Sequence, residues 1–147
     1  MKLRIAAGLT FLVLTFVSAP LAAQTFRIDA AIPFSFAVGS QALPSGQYEF
    51  QNLAMGVAQI WNQDSRTSVA MMFHPGFMPV KLADESVTLV FHRYGQSYFL
   101  SEIRNGYSGS VYSFPESPRE KELRRTAFLH RPEETVTLVA RAIAATR

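Results

Sequence analysis

The most constraining feature of the sequence is a run of alternating apolar residues from Phe26 to Val38, which reads FRIDAAIPFSFAV. Every second position from 26 to 38 is apolar, and the positions between them include Arg27 and Asp29. A period of two over this length is typical of a half-buried β-strand with one face towards a core. Because proline cannot donate a ladder hydrogen bond, we expect Pro33 to split the run into two strands.

The same alternation recurs along the chain between turn-forming sequences such as LPSG, NQDSR and Tyr94-Gly95-Gln96. The further predicted strands span residues 47–50, 57–61, 68–73, 87–93, 97–104, 107–114 and 135–141. Four of them form two hairpins, around NQDSR and around Gly95. About eight short strands at regular spacing predict an all-β fold built from hairpins, either an antiparallel β-sandwich or a small barrel.

A single short helix is predicted over residues 118–128. Ser117 is a favourable N-cap, Pro118 suits the first helical position, and Glu120 stands three residues after the cap. Glu120 and Arg124 are four residues apart and are expected to form an ion pair. The helix is expected to end near residue 128, because a proline follows at position 132.

The first 23 residues have the order of a secretory signal peptide. Lys2 and Arg4 precede an apolar run over residues 5–17, and small residues follow up to Ala23. The run is shorter than the roughly 20 apolar residues that span a bilayer, so an uncleaved anchor is the weaker interpretation. We expect cleavage after Ala23, a single β domain over residues 24–147 with no stable membrane span, and a periplasmic or extracellular location.

Charge and cysteine content exclude several classes of function. Removing the predicted leader leaves 12 basic and 11 acidic residues, so the net charge falls from +3 to +1. The segment 116–134 mixes both signs, whereas a nucleic-acid surface needs a field of one sign. Nucleic acid is therefore not a predicted partner. With no cysteine in the chain, disulfides, thiolate chemistry and a lipid-attachment cysteine are excluded.

The stretch VFHRYGQSYFL, residues 90–100, places His92, Tyr94 and Tyr98 around Gly95. If positions 87, 89 and 91 fill the core, His92 and Tyr94 point outward. A three-residue loop would pair His92 with Tyr98, and a two-residue loop would pair it with Phe99. No nucleophile or carboxylate stands at a local spacing that would activate the imidazole, so we interpret these side chains as register-fixing contacts on an interaction surface.

No catalytic, metal or cofactor motif is present in the sequence. The histidines at positions 74, 92 and 130 are 18 and 38 residues apart, which is not a ligand spacing, so no metal or cofactor is predicted. The carboxylates of Asp84, Glu85 and Glu102 are interpreted as surface charge. The sequence NGYSG at 105–109 lacks the spacing of a serine-hydrolase elbow and is interpreted as a turn.

The segment MMFHPGFMPVKL, residues 71–82, is rich in methionine and phenylalanine around two prolines and a glycine. We expect an irregular loop whose apolar side chains either cover one end of a core or form an exposed, adaptable contact surface. Met72, Phe77 and Met78 therefore join His92, Tyr94 and Tyr98 as candidate interaction residues.

Several of these motifs together resemble a family of small exported β proteins. The stretches VGSQALPSGQYEF, WNQDSR, VFHRYGQSYFLSEI and SPREKEL occur in this order over nearly the whole mature chain. They are similar to the LP-x-G-x-Y and VFHRYG-x-x-YFL pattern of an uncharacterised family that is abundant in soil acidobacteria. In that family a lysine often precedes this strand, whereas this chain has VTL directly before VFHRYG. The resemblance implies export and a β fold, and it assigns no activity or site residue.

Three functional hypotheses follow from the sequence. The leading one is an exported, non-enzymatic β domain that binds an unknown protein or a cell-envelope component. The alternative is a lipocalin-like carrier of a small apolar ligand, because the apolar face of residues 26–36 would line a cavity if the sheet closes. A second alternative is a hydrolase that uses His92 with a distant carboxylate or serine.

Overall fold

The computed structural model describes residues 26–79, 86–130 and 134–142, without the side chains of residues 128–130. The predicted signal peptide and its cleavage site lie outside the described residues. So do Asp84 and Glu85, two of the three carboxylates interpreted as surface charge. The third, Glu102, is half-buried and ion-paired with Arg104 at 2.7 Å between Oε2 and Nη2.

The described chain forms eleven strands and one helix. They are β1 Arg27–Ile32, β2 Phe36–Val38, β3 Gln41–Leu43, β4 Gly46–Ala54, β5 Val57–Asn62, β6 Thr67–Met72, β7 His74–Phe77, β8 Val87–Tyr94, β9 Ser97–Asn105, β10 Ser110–Ser113, α1 Pro118–His130 and β11 Glu134–Ala142. The predicted hairpins are present, and Pro33 does separate β1 from β2. Two short strands, β3 and β7, were not predicted.

The strands form one sheet that curls into a nearly closed barrel, which confirms the predicted all-β class. The order is β3-β2-β9-β8-β11-β1-β4-β5-β6, with β10 on β9 and β7 on β10. Neighbouring strands are antiparallel apart from β2 and β9, which pair in parallel at Ala37 and Phe99. The last strand, β11, lies between β8 and β1.

A single residue, Phe73, brings the two ends of the sheet together. β6 pairs with β5 on one side of the barrel, and β7 pairs with β10 on the other, yet only Phe73 separates β6 from β7. The Phe73 ring is buried and contacts Phe26 and Tyr112, with ring centroids 6.2 Å and 5.2 Å away. The curvature of the barrel is therefore fixed at this corner by aromatic packing.

The expectation of an irregular loop over residues 71–82 is wrong for residues 74–77. These residues form β7, which pairs with β10 so that Pro75 lies opposite Tyr112. Within the described residues β7 has β10 as its one neighbour. An edge strand tolerates proline because its outward N–H need not enter a ladder. The sequence rule that excludes proline from central strands does not apply here.

The core lies inside the barrel and is built from the alternating apolar residues. The buried cluster consists of Ile28, Ala30, Ile32, Phe36, Val38, Leu43, Tyr48, Phe50, Ala58, Ile60, Phe73, Val87, Leu89, Phe91, Leu100, Ile103 and Phe114. Its aromatic rings meet mostly edge to face, as between Phe36 and Phe91. Side chains thus fill the barrel interior along the described strands.

The β8–β9 hairpin has the shorter of the two predicted loops. His92 lies opposite Phe99 and Tyr94 opposite Ser97, so the loop is Gly95-Gln96. Gly95 has φ of +63°, which a type II′ turn requires at its first central position. Further from the loop, the hairpin contains a bulge: Val90 lies opposite Glu102 and Phe91 opposite Leu100, so Ser101 of β9 is the extra residue.

Helix α1 begins as predicted, because the Glu120 N–H donates to Ser117 Oγ at 3.0 Å. It ends at His130, two residues later than expected. The predicted pair of Glu120 with Arg124 is wrong, since Arg124 Nη1 donates to Glu116 Oε1 at 2.8 Å. No helix in the described ranges is long and apolar enough to cross a membrane.

Candidate functional site

Helix α1 packs against β8 and covers part of the outer face of the barrel. Val90, Tyr94 and Phe99 are buried on this face, outside the main core cluster. The Tyr94 and Phe99 rings meet at 5.9 Å. Tyr94 does belong to the outward side of β8, as expected, but it is buried there and does not face solvent.

His92 lies on the same covered face and contacts a carboxylate of α1. Its Nδ1 is 3.0 Å from Glu120 Oε1. The Glu120 side chain is only 5% exposed, and that of His92 is 24% exposed. The N-cap bond from Ser117 fixes the Glu120 backbone, and the position near the helix N-terminus favours a negative charge. The hydrolase hypothesis required His92 to lie in a cleft within hydrogen-bond reach of a carboxylate or serine, and Glu120 supplies the carboxylate, whereas His92 does not line the cleft beside Arg119.

Glu116 completes a group of three side chains at this place. One ligand atom each from His92, Glu116 and Glu120 lies within 4.8 Å of the others. Glu116 is partly buried and is held by the guanidinium of Arg124. The chain thus brings an imidazole and two carboxylates together between β8 and the first turn of α1.

Tyr98 belongs to a different environment from this group, because it lies opposite Arg93 and packs against the core cluster. Its ring stacks on Phe34 at 4.0 Å, and the Arg93 guanidinium lies 5.4 Å from the ring centroid. It also lines an open cleft of about 370 Å³ beside Arg119. The apolar lining of the cleft includes Phe36, Leu43, Pro44 and Phe99.

The opposite end of the barrel carries exposed apolar side chains on three neighbouring turns. They are Leu53 and Met55 at the β4–β5 turn, Met72 just before the β6–β7 corner, Phe77 at the end of β7 and Tyr107 in the β9–β10 turn. We call these five residues the apolar rim. Each is 54–98% exposed, and together they are five of the seven large apolar side chains exposed in the described part of the chain.

Strand pairing and backbone hydrogen bonds hold the three turns of the apolar rim close together. Phe73 N–H donates to Gly56 O, and Met78 N–H donates to Gly109 O, both at 2.8 Å. Val57 lies opposite Met72, and Ser110 lies opposite Phe77. The stretches 53–57, 70–79 and 106–111 contain no Lys, Arg, Asp or Glu. A cluster of uncovered apolar side chains without charge typically marks an interaction site.

The six sequence-predicted interaction residues therefore fall on two surfaces. His92, Tyr94 and Tyr98 lie beside α1, whereas Met72 and Phe77 belong to the apolar rim, next to the half-buried Met78. Phe77 lies opposite Ser110, which in turn lies opposite Asn105 of β9. The stretch of β9 from Tyr98 to Asn105 is roughly 20 Å long, at about 3.3 Å per residue, so the two surfaces are well separated. Leu53, Met55 and Tyr107 were missed, because the β4–β5 and β9–β10 turns lie far from residues 71–82 in the sequence and only strand pairing brings them together. Glu120 was missed because its spacing from Ser117 indicated only helix capping, and Glu116 was missed because it stands in a segment of mixed charge.

Comparisons with protein-family models, with curated proteins and with solved structures find no match for this chain.

Proposed function

We propose that the protein is an exported, non-enzymatic binding module that docks on a partner protein of the cell envelope through the apolar rim. The observation that carries the proposal is the exposure of Met55, Met72 and Phe77 together at one end of the barrel. Their exposed apolar area has a free-energy cost in water, since burial is worth about 25 cal/mol per Å². A partner that covers them recovers this free energy.

The chemistry of the apolar rim favours a protein over a lipid surface. Helices and patches that bind bilayers carry Lys or Arg that attract anionic lipids, and the described turn stretches of the apolar rim have none. Methionine and aromatic residues are enriched at protein–protein interfaces, where methionine adapts to irregular shapes. The edge of β7 that has no strand neighbour among the described residues, beside Phe77, also offers backbone groups to an extended segment of a partner.

Site-specific photocrosslinking tests the proposal directly. A photoreactive phenylalanine analogue at position 77 is expected to crosslink one defined protein in the native cell envelope. The same analogue at position 139 is the matched control. Val139 is similarly exposed, at 76%, but it lies on β11, and β8 and β9 separate β11 from the β10–β7 pair that carries Phe77. Equal crosslinking from both positions would contradict a docking surface at the apolar rim.

A charge introduced into the apolar rim provides the second arm of this test. With the photoreactive analogue kept at position 77, Met55→Glu together with Met72→Glu is expected to reduce recovery of the crosslinked partner at least tenfold, because a buried unpaired carboxylate opposes docking. Val139→Glu is expected to leave recovery unchanged. Unaltered recovery with the double variant would also overturn the proposal.

The cleft beside Arg119 supports a second candidate function, the carriage of a small molecule. Side chains occupy the barrel interior, so a ligand would sit in this wall cleft, with an apolar body on Phe36 and Tyr98 and an acidic group towards Arg119. Native mass spectrometry of the processed protein from its own cells is expected to show a reproducible added mass of a few hundred daltons. An Arg119→Gln variant that keeps the same adduct would rule out this cleft.

A further inference from the structure

The group formed by His92, Glu116 and Glu120 has donor atoms that suit a metal ion. An imidazole nitrogen and two carboxylate oxygens come from β8, from the residue before the Ser117 cap and from the first turn of α1. Two elements that are far apart in sequence thus contribute to one small volume. This combination of nitrogen and oxygen ligands suits a borderline divalent ion such as Zn²⁺.

The charge of the group also favours a cation. Two carboxylates near each other repel, and each loses hydration as it is buried. Arg124 offsets the charge of Glu116 through its hydrogen bond at 2.8 Å. Glu120, which is 5% exposed at its side chain, has the His92 ring 3.0 Å away. A divalent ion between the two glutamates would compensate the remaining buried negative charge.

The distances are close to those of a coordination sphere. Bonds of about 2.0–2.2 Å from a tetrahedral ion to nitrogen and oxygen place two donors about 3.4 Å apart. The three donor atoms already lie within 4.8 Å of one another. Side-chain rotations that move each atom by on the order of 1 Å would bring them into the coordination sphere. The Arg124 contact orients Glu116 in the manner of an outer-shell partner.

We propose that His92, Glu116 and Glu120 bind one divalent transition-metal ion of the Zn²⁺ type. The ion fastens α1 to β8 over the buried side chains of Val90, Tyr94 and Phe99. Three protein ligands leave a fourth tetrahedral position for water or an exogenous ligand. This site is independent of the apolar rim, which lies at the other end of the barrel.

Calorimetric titration of the EDTA-stripped protein with ZnCl₂ tests the proposal. We expect one Zn²⁺ per chain, with affinity reduced at least tenfold in His92→Ala and in Glu120→Gln, because each variant removes a ligand. His74→Ala is the matched control, because His74 is an exposed histidine in β7 beside the apolar rim. The control is expected to bind Zn²⁺ as the wild type does.

Co²⁺ provides a readout that a merely structural hydrogen bond would not give. The wild-type protein with one equivalent of Co²⁺ is expected to show the visible absorption of a four-coordinate ion, and His92→Ala is expected to lose it. Glu116→Gln serves where Glu120→Gln fails to fold, because Glu116 is the more exposed carboxylate. No Zn²⁺ binding by the wild type, or binding unchanged in His92→Ala, would overturn the proposal.

Discussion

The two ends of the barrel differ in how their side chains are partnered. At the end that carries the Gly95-Gln96 loop and the 63–66 turn, which we call the polar end, side chains bond to backbone. Asn62 Oδ1 accepts from the N–H groups of Asp64 and Ser65 at 2.9 Å, and Asp64 Oδ2 accepts from Gln47 N–H at 2.8 Å. At the apolar rim, Asn105 Oδ1 likewise accepts from the N–H groups of Tyr107 and Ser108, at 3.0 and 3.3 Å, but large hydrophobic side chains there also project into solvent.

The two ends are therefore expected to contribute to different properties of the domain, the polar end to stability and the apolar rim to binding. The polar end is held by bonds that the chain makes to itself, and α1 further covers the adjacent outer face. The apolar rim contributes little to the core, so its composition is not explained by the stability of the isolated domain. The comparison therefore predicts large effects of mutation on stability at the core and the polar end, and effects on binding at the apolar rim.

The largest contrast is expected between two phenylalanines. Phe91 is fully buried, with its ring centroid 5.2 Å from that of Phe34, and Phe77 is 86% exposed. Phe91→Ala should lower the free energy of unfolding by about 3–5 kcal/mol. Phe77→Ala should change it by no more than about 0.5 kcal/mol. Urea denaturation followed by circular dichroism measures both, and a comparable loss in the two variants would contradict the comparison.

Tyr48 should make the polar end sensitive to high pH. Burial raises the pKa of its hydroxyl, which donates to Pro44 O at 2.6 Å. Because the native state then holds this proton more tightly than the unfolded state, stability is complete below the ordinary pKa of about 10 and falls as the pH rises above it. Tyr48→Phe should remove that part of the pH dependence and cost about 1 kcal/mol at neutral pH, where the hydrogen bond is lost.

The control for this pH effect is Tyr107→Phe, which alters an exposed hydroxyl of the apolar rim. Its free energy of unfolding should fall with rising pH as in the wild type. Urea denaturation at several pH values from 7 upward gives both profiles. A Tyr48→Phe profile identical in slope to the wild type would show that the buried hydroxyl is not the source of the dependence.

The smallest expected effect compares two serines. Ser117→Ala removes the N-cap of α1 and should lower the free energy of unfolding by about 1 kcal/mol. Ser108→Ala changes an exposed serine in the β9–β10 turn and should cost no more than about 0.5 kcal/mol. Thermal denaturation separates the two, and an equal decrease in both variants would mean that the cap does not secure the helix.

The sequence predicted the strands best where alternation and turn chemistry agree, as in β1, β4 and the β8–β9 hairpin. It failed for β7, because Pro75 argues against a strand unless the strand is known to be at an edge. It left sandwich and barrel open, since the Phe73 corner depends on the pairing of β7 with β10. That pairing is not encoded in the local pattern.

The candidate sites were predicted only in part, for the same reason. Met72 and Phe77 stand in one conspicuous apolar segment, but Met55 and Tyr107 join them only through strand register. His92 was singled out from its sequence context, whereas its partner Glu120 carried a helix-capping signature that gave no indication of its contact with β8. Long-range pairing decides both sites, and a single sequence does not display it.

The position of β11 has a consequence for biosynthesis. This strand is the last in the described sequence, yet it occupies the space between β8 and β1 and joins the two halves of the wall. A chain that emerges N-terminus first cannot complete its central sheet until residues 134–142 have appeared. Such non-local pairing folds slowly, and the apolar strands stay open to aggregation meanwhile. The growing chain should therefore benefit from chaperones that hold it unfolded until β11 is free to pair.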